Sequence, residues 1–178
     1  MKLSFTEDHE RLRTSVRAFL EERSPVAEAR RLMETDEGHD PAVWAEAATR
    51  VGLQGLAVPT GLGGRGGGLV ELAVAFEEMG RTLLCGPYLS TMALAARAIL
   101  ASGDEAAAKE LLPRIASGET VATLAVTEDS GRWDEGSVTA RARPEGDRWA
   151  LDGHKTFVID GQVADLVLVA ARADDAVG

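Results

Sequence analysis

Two places in this 178-residue chain set polar groups directly after an apolar run, where they could meet a ligand. Val121-Ala-Thr-Leu-Ala-Val-Thr-Glu-Asp129 leads from a short apolar strand into a polar turn, and Gly153-His-Lys-Thr-Phe-Val-Ile-Asp-Gly161 repeats the arrangement. Backbone N–H groups freed at a strand end need acceptors, and the edge of a planar heteroaromatic ring supplies them. Thr127 adds a hydroxyl that can donate or accept. On spacing alone, the same residues also read as two ordinary strands with their turns.

Other motifs carry less. Gly61-Leu-Gly63-Gly-Arg-Gly66 spells GxGxxG, but Pro59-Thr60 separates it from the preceding apolar residues, and helices rather than a second strand follow. The strand–turn–helix unit of a dinucleotide site is therefore missing, and a mobile connection between helices is expected instead. No Gly-Lys-Ser/Thr follows, which excludes a P-loop. His9, His39 and His154 lie far apart without ligand spacing, so they are read as surface or loop residues and no metal site is assigned. There is no G-x-S-x-G elbow. Cys85, beside Gly86-Pro87, is read as a small packed residue. Glu77 and Glu78 are read as a solvated helix face.

The elements that must position these residues change character along the chain. Thr6 or Ser4 can cap a helix whose apolar positions Leu12, Val16, Phe19 and Leu20 share one face, and Ser24-Pro25 ends it. Asp40-Pro41 opens a second helix with Val43, Trp44, Ala47 and Val51, stopped by Gly52. Leu69, Leu72, Ala73, Phe76 and Met79 form a third stripe closed by Gly80. A helix over 91–101 follows, then one capped by Asp104 that ends before Gly118. From about Glu119 the pattern turns to strands: 121–126, 137–143 answered by 147–151 across Pro144-Glu-Gly146, then 155–159 and 164–169. The fold class is α+β: an all-helical domain (1–118) followed by the start of an antiparallel β domain (119–178).

Composition narrows the function classes. Hydrophobic residues make up 45% and charged ones 27%, enough apolar content for a packed core. Nineteen basic against 29 acidic residues give a net charge of −10. That balance argues against a nucleic-acid binder, which needs a basic face, and against an anionic membrane surface. The single cysteine allows no internal disulfide and fits a reducing compartment. The acidic opening residues do not resemble a signal peptide, and no apolar run is long enough to span a bilayer. A cytoplasmic protein is expected. The last residues, from Arg172 onward, read as a loop without a cap, so the intact product is expected to extend beyond Gly178.

Four ordered segments resemble the acyl-CoA dehydrogenase family. They are Leu53-Gln-Gly-Leu-Ala-Val-Pro59 with the following glycine cluster; Leu72-Ala-Val-Ala-Phe-Glu-Glu-Met-Gly-Arg81; Leu111-Leu-Pro-Arg-Ile-Ala-Ser-Gly118; and Leu124-Ala-Val-Thr-Glu128 with Leu151-Asp-Gly-His-Lys155 and Ala164-Asp165. The resemblance implies an N-terminal helical domain, a middle β domain and a C-terminal helical bundle, of which this chain covers the first and part of the second. It also implies FAD as cofactor and an acyl-CoA thioester as substrate, a proton leaving the α carbon while hydride passes from the β carbon to the flavin. Donors beside the flavin N1–C2=O edge then stabilise the charge that develops there.

On matching positions, Leu124, Val126 and Thr127 are implied to face the flavin pyrimidine, with Phe157 and Ile159 along the ring system. Trp133 stands where the family usually has a serine that helps hold cofactor and substrate, and Ile159 replaces a residue whose hydroxyl commonly reaches flavin N5. The family's catalytic glutamate sits in the C-terminal bundle, so no catalytic residue is assigned within this chain. Three readings follow: an FAD-dependent acyl-CoA dehydrogenase; a family-like, non-catalytic subunit pairing with an active one in a heteromer; or a helical interaction protein that kept only the scaffold. Either of the first two implies a homo- or hetero-oligomer.

Overall fold

The computed structural model describes residues 5–174, 176 and 177. Among the described residues six α-helices precede the strands: α1 (Glu7–Arg23), α2 (Val26–Leu32), α3 (Pro41–Glu46), α4 (Leu69–Thr82), α5 (Ala96–Ser102) and α6 (Glu105–Ala116). Wide π-helical turns continue α3 over Ala47–Val51 and lead into α5 over Leu89–Ala95. The helices start where local chemistry satisfies their free N–H groups. The Thr6 hydroxyl accepts from His9 N–H, Asp40 from Ala42 N–H, and Asp104 from Ala106 and Ala107 N–H. Ser4, the other cap expected for α1, lies outside the described residues.

α1 and α4 lie side by side. His9 meets Glu71, Arg13 meets Glu77 and Glu78, and Arg81 meets Glu21, an order that rises along both helices and so makes them run in the same direction. Val16, Phe19 and Leu20 of α1 pack with Leu72, Ala75 and Met79 of α4 and with Trp44 and Tyr88. The stripe expected on α4 is partly displaced. Leu69 and Ala73 are exposed, while Val74 and Glu78 are buried, because a neighbouring row of the helix faces the core.

The strands are β1 (Ala122–Ala125), β2 (Arg141–Glu145), β3 (Arg148–Asp152), β4 (Leu166–Val169), β5 (Arg172–Ala173) and β6 (Ala176–Val177). β2–β3 and β5–β6 pair antiparallel, as expected of the β segment; β1–β4 and β2–β5 pair parallel. The parallel pair β1–β4 belongs to the helical core: Ala122, Leu166 and Leu168 pack with Ile99, Leu112 and Ile115. Two strand expectations need correction. Pro144 lies inside β2 opposite Trp149, and the hairpin turns at Gly146-Asp147, with Gly146 at φ +65°. The 155–159 segment is an irregular loop, tied to its neighbours mainly by side chains. The end is no simple loop either: Arg172 N–H bonds Ala140 O, which seats β5 against β2 and lets β6 fold back on it. Gly178 lies outside the described residues.

Candidate functional site

The two segments singled out in the sequence lie together. Where β1 ends, residues 127–129 run antiparallel to 154–156 with three successive cross-links. Thr156 N–H donates to Thr127 O (2.9 Å), Lys155 Nζ to Glu128 Oε1 (2.8 Å), and the His154 ring meets Asp129 Oδ1 (3.1 Å). Lys155 Nζ also reaches Val126 O at 3.2 Å. Farther along, Thr123 Oγ1 donates to Ile159 O (2.6 Å) and Ser90 Oγ to Asp160 Oδ2 (2.6 Å), so the 154–160 loop is fixed to β1 and to the turn before α5.

Glu128 is the hub. It is buried, and its carboxylate accepts from Lys155, from the Thr139 N–H and hydroxyl, and from the Ala140 N–H. These donors, Lys155 first and Thr139 next, hold its pKa down at about 2. A folded pKa below the unfolded value of about 4.3 contributes stability that is complete above that pH and is lost as pH falls towards 2. Urea midpoints measured from pH 6 to pH 2.5 should fall across that window, and Glu128→Gln should flatten the fall. An equal slope in the variant would remove Glu128 from the acid transition.

The structure brings the expected edge residues into one place. Asp165 and Leu166 N–H bond Val121 O, and Ala170 N–H bonds Ala125 O, so the odd-numbered residues of β1 face β4. The backbone of Leu124 and Val126 faces the other way. Among the described residues the N–H groups of Leu124, Val126 and Thr127 and the Thr127 hydroxyl form no hydrogen bond. The Leu124 side chain turns into an apolar cavity of about 330 Å³ with Ile99, Leu111 and Leu168, leaving its main chain for the edge. Phe157 is 89% exposed at φ +52°, Ile159 is 44% exposed, and Asp160 sits at φ +55°. Asp tolerates that left-handed conformation, but a bulky Phe rarely adopts it, and strained residues of this kind gather at ligand sites.

Trp133 belongs to a well-bonded turn. Arg132 Nε pairs with Asp134 (2.8 Å), and Ser137 Oγ bonds the Arg132 and Asp134 carbonyls. The indole is 81% exposed, so it does not pack against the helices. Sequence reasoning assigned no site role to Glu128, Lys155 or Thr156, although all three stand inside the two segments singled out. The Thr156 hydroxyl is buried with no partner among the described residues. Only its proximity to Thr127 brings it to notice.

Two other expectations change. The glycine-rich segment is not mobile: Gly64, Arg65, Gly66 and Gly67 N–H groups bond Pro59, Gly55, Val58 and Leu56 carbonyls. Gly64 is required because a Cβ there would lie 2.0 Å from Val58 O. These four donors are thus spent within the protein and are not free for a pyrophosphate. Glu78 is not solvated; its carboxylate is 2% exposed beneath Arg13, Arg17 and Arg81. Its partner Glu77 stays exposed and pairs with Arg13. Cys85 is half-buried, and His9 is engaged by Thr6 and Glu71. Among the described residues no group of three or more His, Cys, Asp or Glu could hold a metal ion, and no helix is long and apolar enough to cross a membrane.

Comparison with known proteins identifies the scaffold. Residues 6–119 match the family described as acyl-CoA dehydrogenase, N-terminal domain. The (2S)-methylsuccinyl-CoA dehydrogenase of Cereibacter sphaeroides is 33% identical over 135 residues, covering 75% of this chain and 25% of that protein. A variant of the Tcur3481-Tcur3483 steroid ACAD superposes with a TM-score of 0.84 at 32% identity, over 97% of this chain and 46% of that one. The ChsE4-ChsE5 complex from Mycobacterium tuberculosis gives 0.84 at 26% identity, over 99% and 47%. The chain thus spans less than half the length of these relatives. From its helical half through the strand-end motifs, the chain belongs to the acyl-CoA dehydrogenase family.

Proposed function

We propose that this chain furnishes one side of the flavin site in an FAD-dependent, cytoplasmic acyl-CoA dehydrogenase. The observation that carries this reading is the row of unpaired donors at the end of β1, beside the exposed side chains of Phe157 and Ile159. A flavin fits that combination. Its pyrimidine edge offers acceptors to the Val126 and Thr127 N–H groups and to the Thr127 hydroxyl, Leu124 adds a main-chain donor, and its ring system would cover apolar surface that water now meets. When bound, FAD accepts the hydride removed from the acyl-CoA β carbon. The chain's own part is to orient the flavin, to exclude water through Phe157 and Ile159, and to place donors where negative charge develops. The base that takes the α proton has no candidate in these residues.

The native protein, isolated with whatever chains accompany it, should carry flavin absorbance and release heat on FAD titration after the flavin is stripped. Absence of both would overturn the reading. Ile159 offers no donor, and a hydroxyl placed there adds one hydrogen bond, worth about 1 kcal/mol. Ile159→Thr should therefore tighten FAD about five-fold in the same titration; unchanged affinity would place Ile159 away from the ring.

A second reading has its own support. Trp133, where the family usually has a small serine, and Ile159 together lack two polar contacts that the resemblance implies at the flavin site. That suits a non-catalytic subunit paired with an active one in a heteromer. The ChsE4-ChsE5 neighbour is a complex, and assembly with a second acyl-CoA dehydrogenase-like chain would let the better contacts come from there.

A further inference from the structure

We infer that Glu128 and Lys155 are a positioning pair for the flavin edge, clamping its donors in place and cancelling each other's charge beside it. The inference rests on the proposed flavin site and goes beyond it, because neither side chain is assigned a contact with the ring. Lys155 Nζ binds Val126 O and Glu128 Oε1 together, so one ammonium holds both neighbours of Thr127. Thr156 N–H holds the Thr127 carbonyl itself. Thr127 is thus immobilised on every side except its N–H and hydroxyl, the two groups left free. The same lysine opens the loop that carries Phe157 and Ile159, so it sets the spacing between the edge donors and the apolar surface.

Burial gives the pair its electrostatic meaning. Both side chains are only 8% exposed, so water screens neither charge well. The two cancel while the pair is intact, and removing either member leaves a lone charge one or two residues from the edge donors. Glu128 keeps the Thr139 and Ala140 donors when Lys155 is lost, so that loss cuts the clamp while leaving the carboxylate bonded.

The test uses the native assembly with its flavin. Lys155→Met leaves Glu128 negative, which opposes the negative charge added to the flavin on reduction and lowers the flavin midpoint potential. Glu128→Gln leaves Lys155 positive and raises it. Both variants loosen the clamp, so the FAD dissociation constant should rise at least tenfold in each. A merely structural pair would lower the melting temperature in both variants without opposite shifts in potential. Potentials that stay at the wild-type value or move in the same direction overturn the inference. If Glu128→Gln fails to fold by circular dichroism, Lys155→Met decides alone: a lowered potential supports the pair, and an unchanged or raised one overturns it. A wild-type assembly without flavin would instead defeat the proposed flavin site, a separate outcome.

Discussion

Glu78→Gln should cost the folded chain about 3 kcal/mol. Glu78 receives Arg17 through two bonds of 2.8 and 2.7 Å, Arg13 at 3.2 Å, and Arg81 at 3.3 Å. Arg17 leads in holding its pKa at about 2. Three guanidiniums converge on one carboxylate that water does not reach, and the amide would leave Arg17 without its bidentate anion while Arg13 and Arg81 keep Glu77 and Glu21. Arg17 and Arg81 keep some water contact, which places the loss at the lower end of what a broken buried ion pair costs. Because the cluster binds α1 to α4, the loss should appear as a lower urea midpoint with an unchanged slope. Glu77→Gln, beside it but exposed, serves as the control and should change stability by less than about 1 kcal/mol. Equal effects would mean that the burial of Glu78 carries no energetic weight.

The contrast between these two glutamates marks where sequence reading stops. An acid pair following an apolar residue has the spelling of a solvated face, and nothing local distinguishes Glu77 from Glu78. The distinction comes from Arg17, more than sixty residues earlier, and it exists only once α1 lies along α4. Helix starts were legible because their chemistry is local: Thr6, Asp40 and Asp104 each cap from within three residues. Strand pairing was less so. The 155–159 segment has strand-like composition, yet Lys155 and Ile159 are held by Glu128 and Thr123 across about thirty residues or more, through side-chain bonds that suit a strained loop. The glycine cluster failed for a similar reason. Its conformational freedom reads as mobility, but the N–H groups of residues 64–67 each found a carbonyl in 55–59.

The site itself divides along the same line. A strand end followed by a polar turn marked the region, but Leu124, Val126 and Thr127 were singled out by the family resemblance; the structure leaves their main-chain donors unpaired. Glu128 and Lys155 could be seen as motif letters, but their work depends on an antiparallel crossing that a single sequence does not encode in any fixed spacing. The energetic logic of the site favours such hidden residues. Donors can be held open for a ligand only if neighbouring groups are over-satisfied, and Glu128 accepts from two N–H groups, a hydroxyl and an ammonium.

Trp133→Ser is expected to raise the affinity of this subunit for acyl-CoA at least tenfold while leaving its melting temperature within a degree of wild type. The indole is 81% exposed and held on a turn stiffened by the Arg132–Asp134 pair and the Ser137 hydroxyl, so its removal uncovers no core. If this turn keeps the path that the family resemblance implies, the side chain stands where the proposed cofactor and substrate would be held. An indole brings bulk and a single N–H donor, where serine brings a small group that both donates and accepts. If the indole occupies the space of the thioester, shortening it opens the site, and calorimetric titration of the native assembly with an acyl-CoA will register new binding. Flavin content should stay constant, because the Val126 and Thr127 donors are untouched. Lower flavin content in the variant would instead make Trp133 a cover for the ring, and the subunit catalytic with altered contacts. Unchanged binding of both ligands would place the indole outside the pocket, and the case for a non-catalytic subunit would then rest on Ile159 alone.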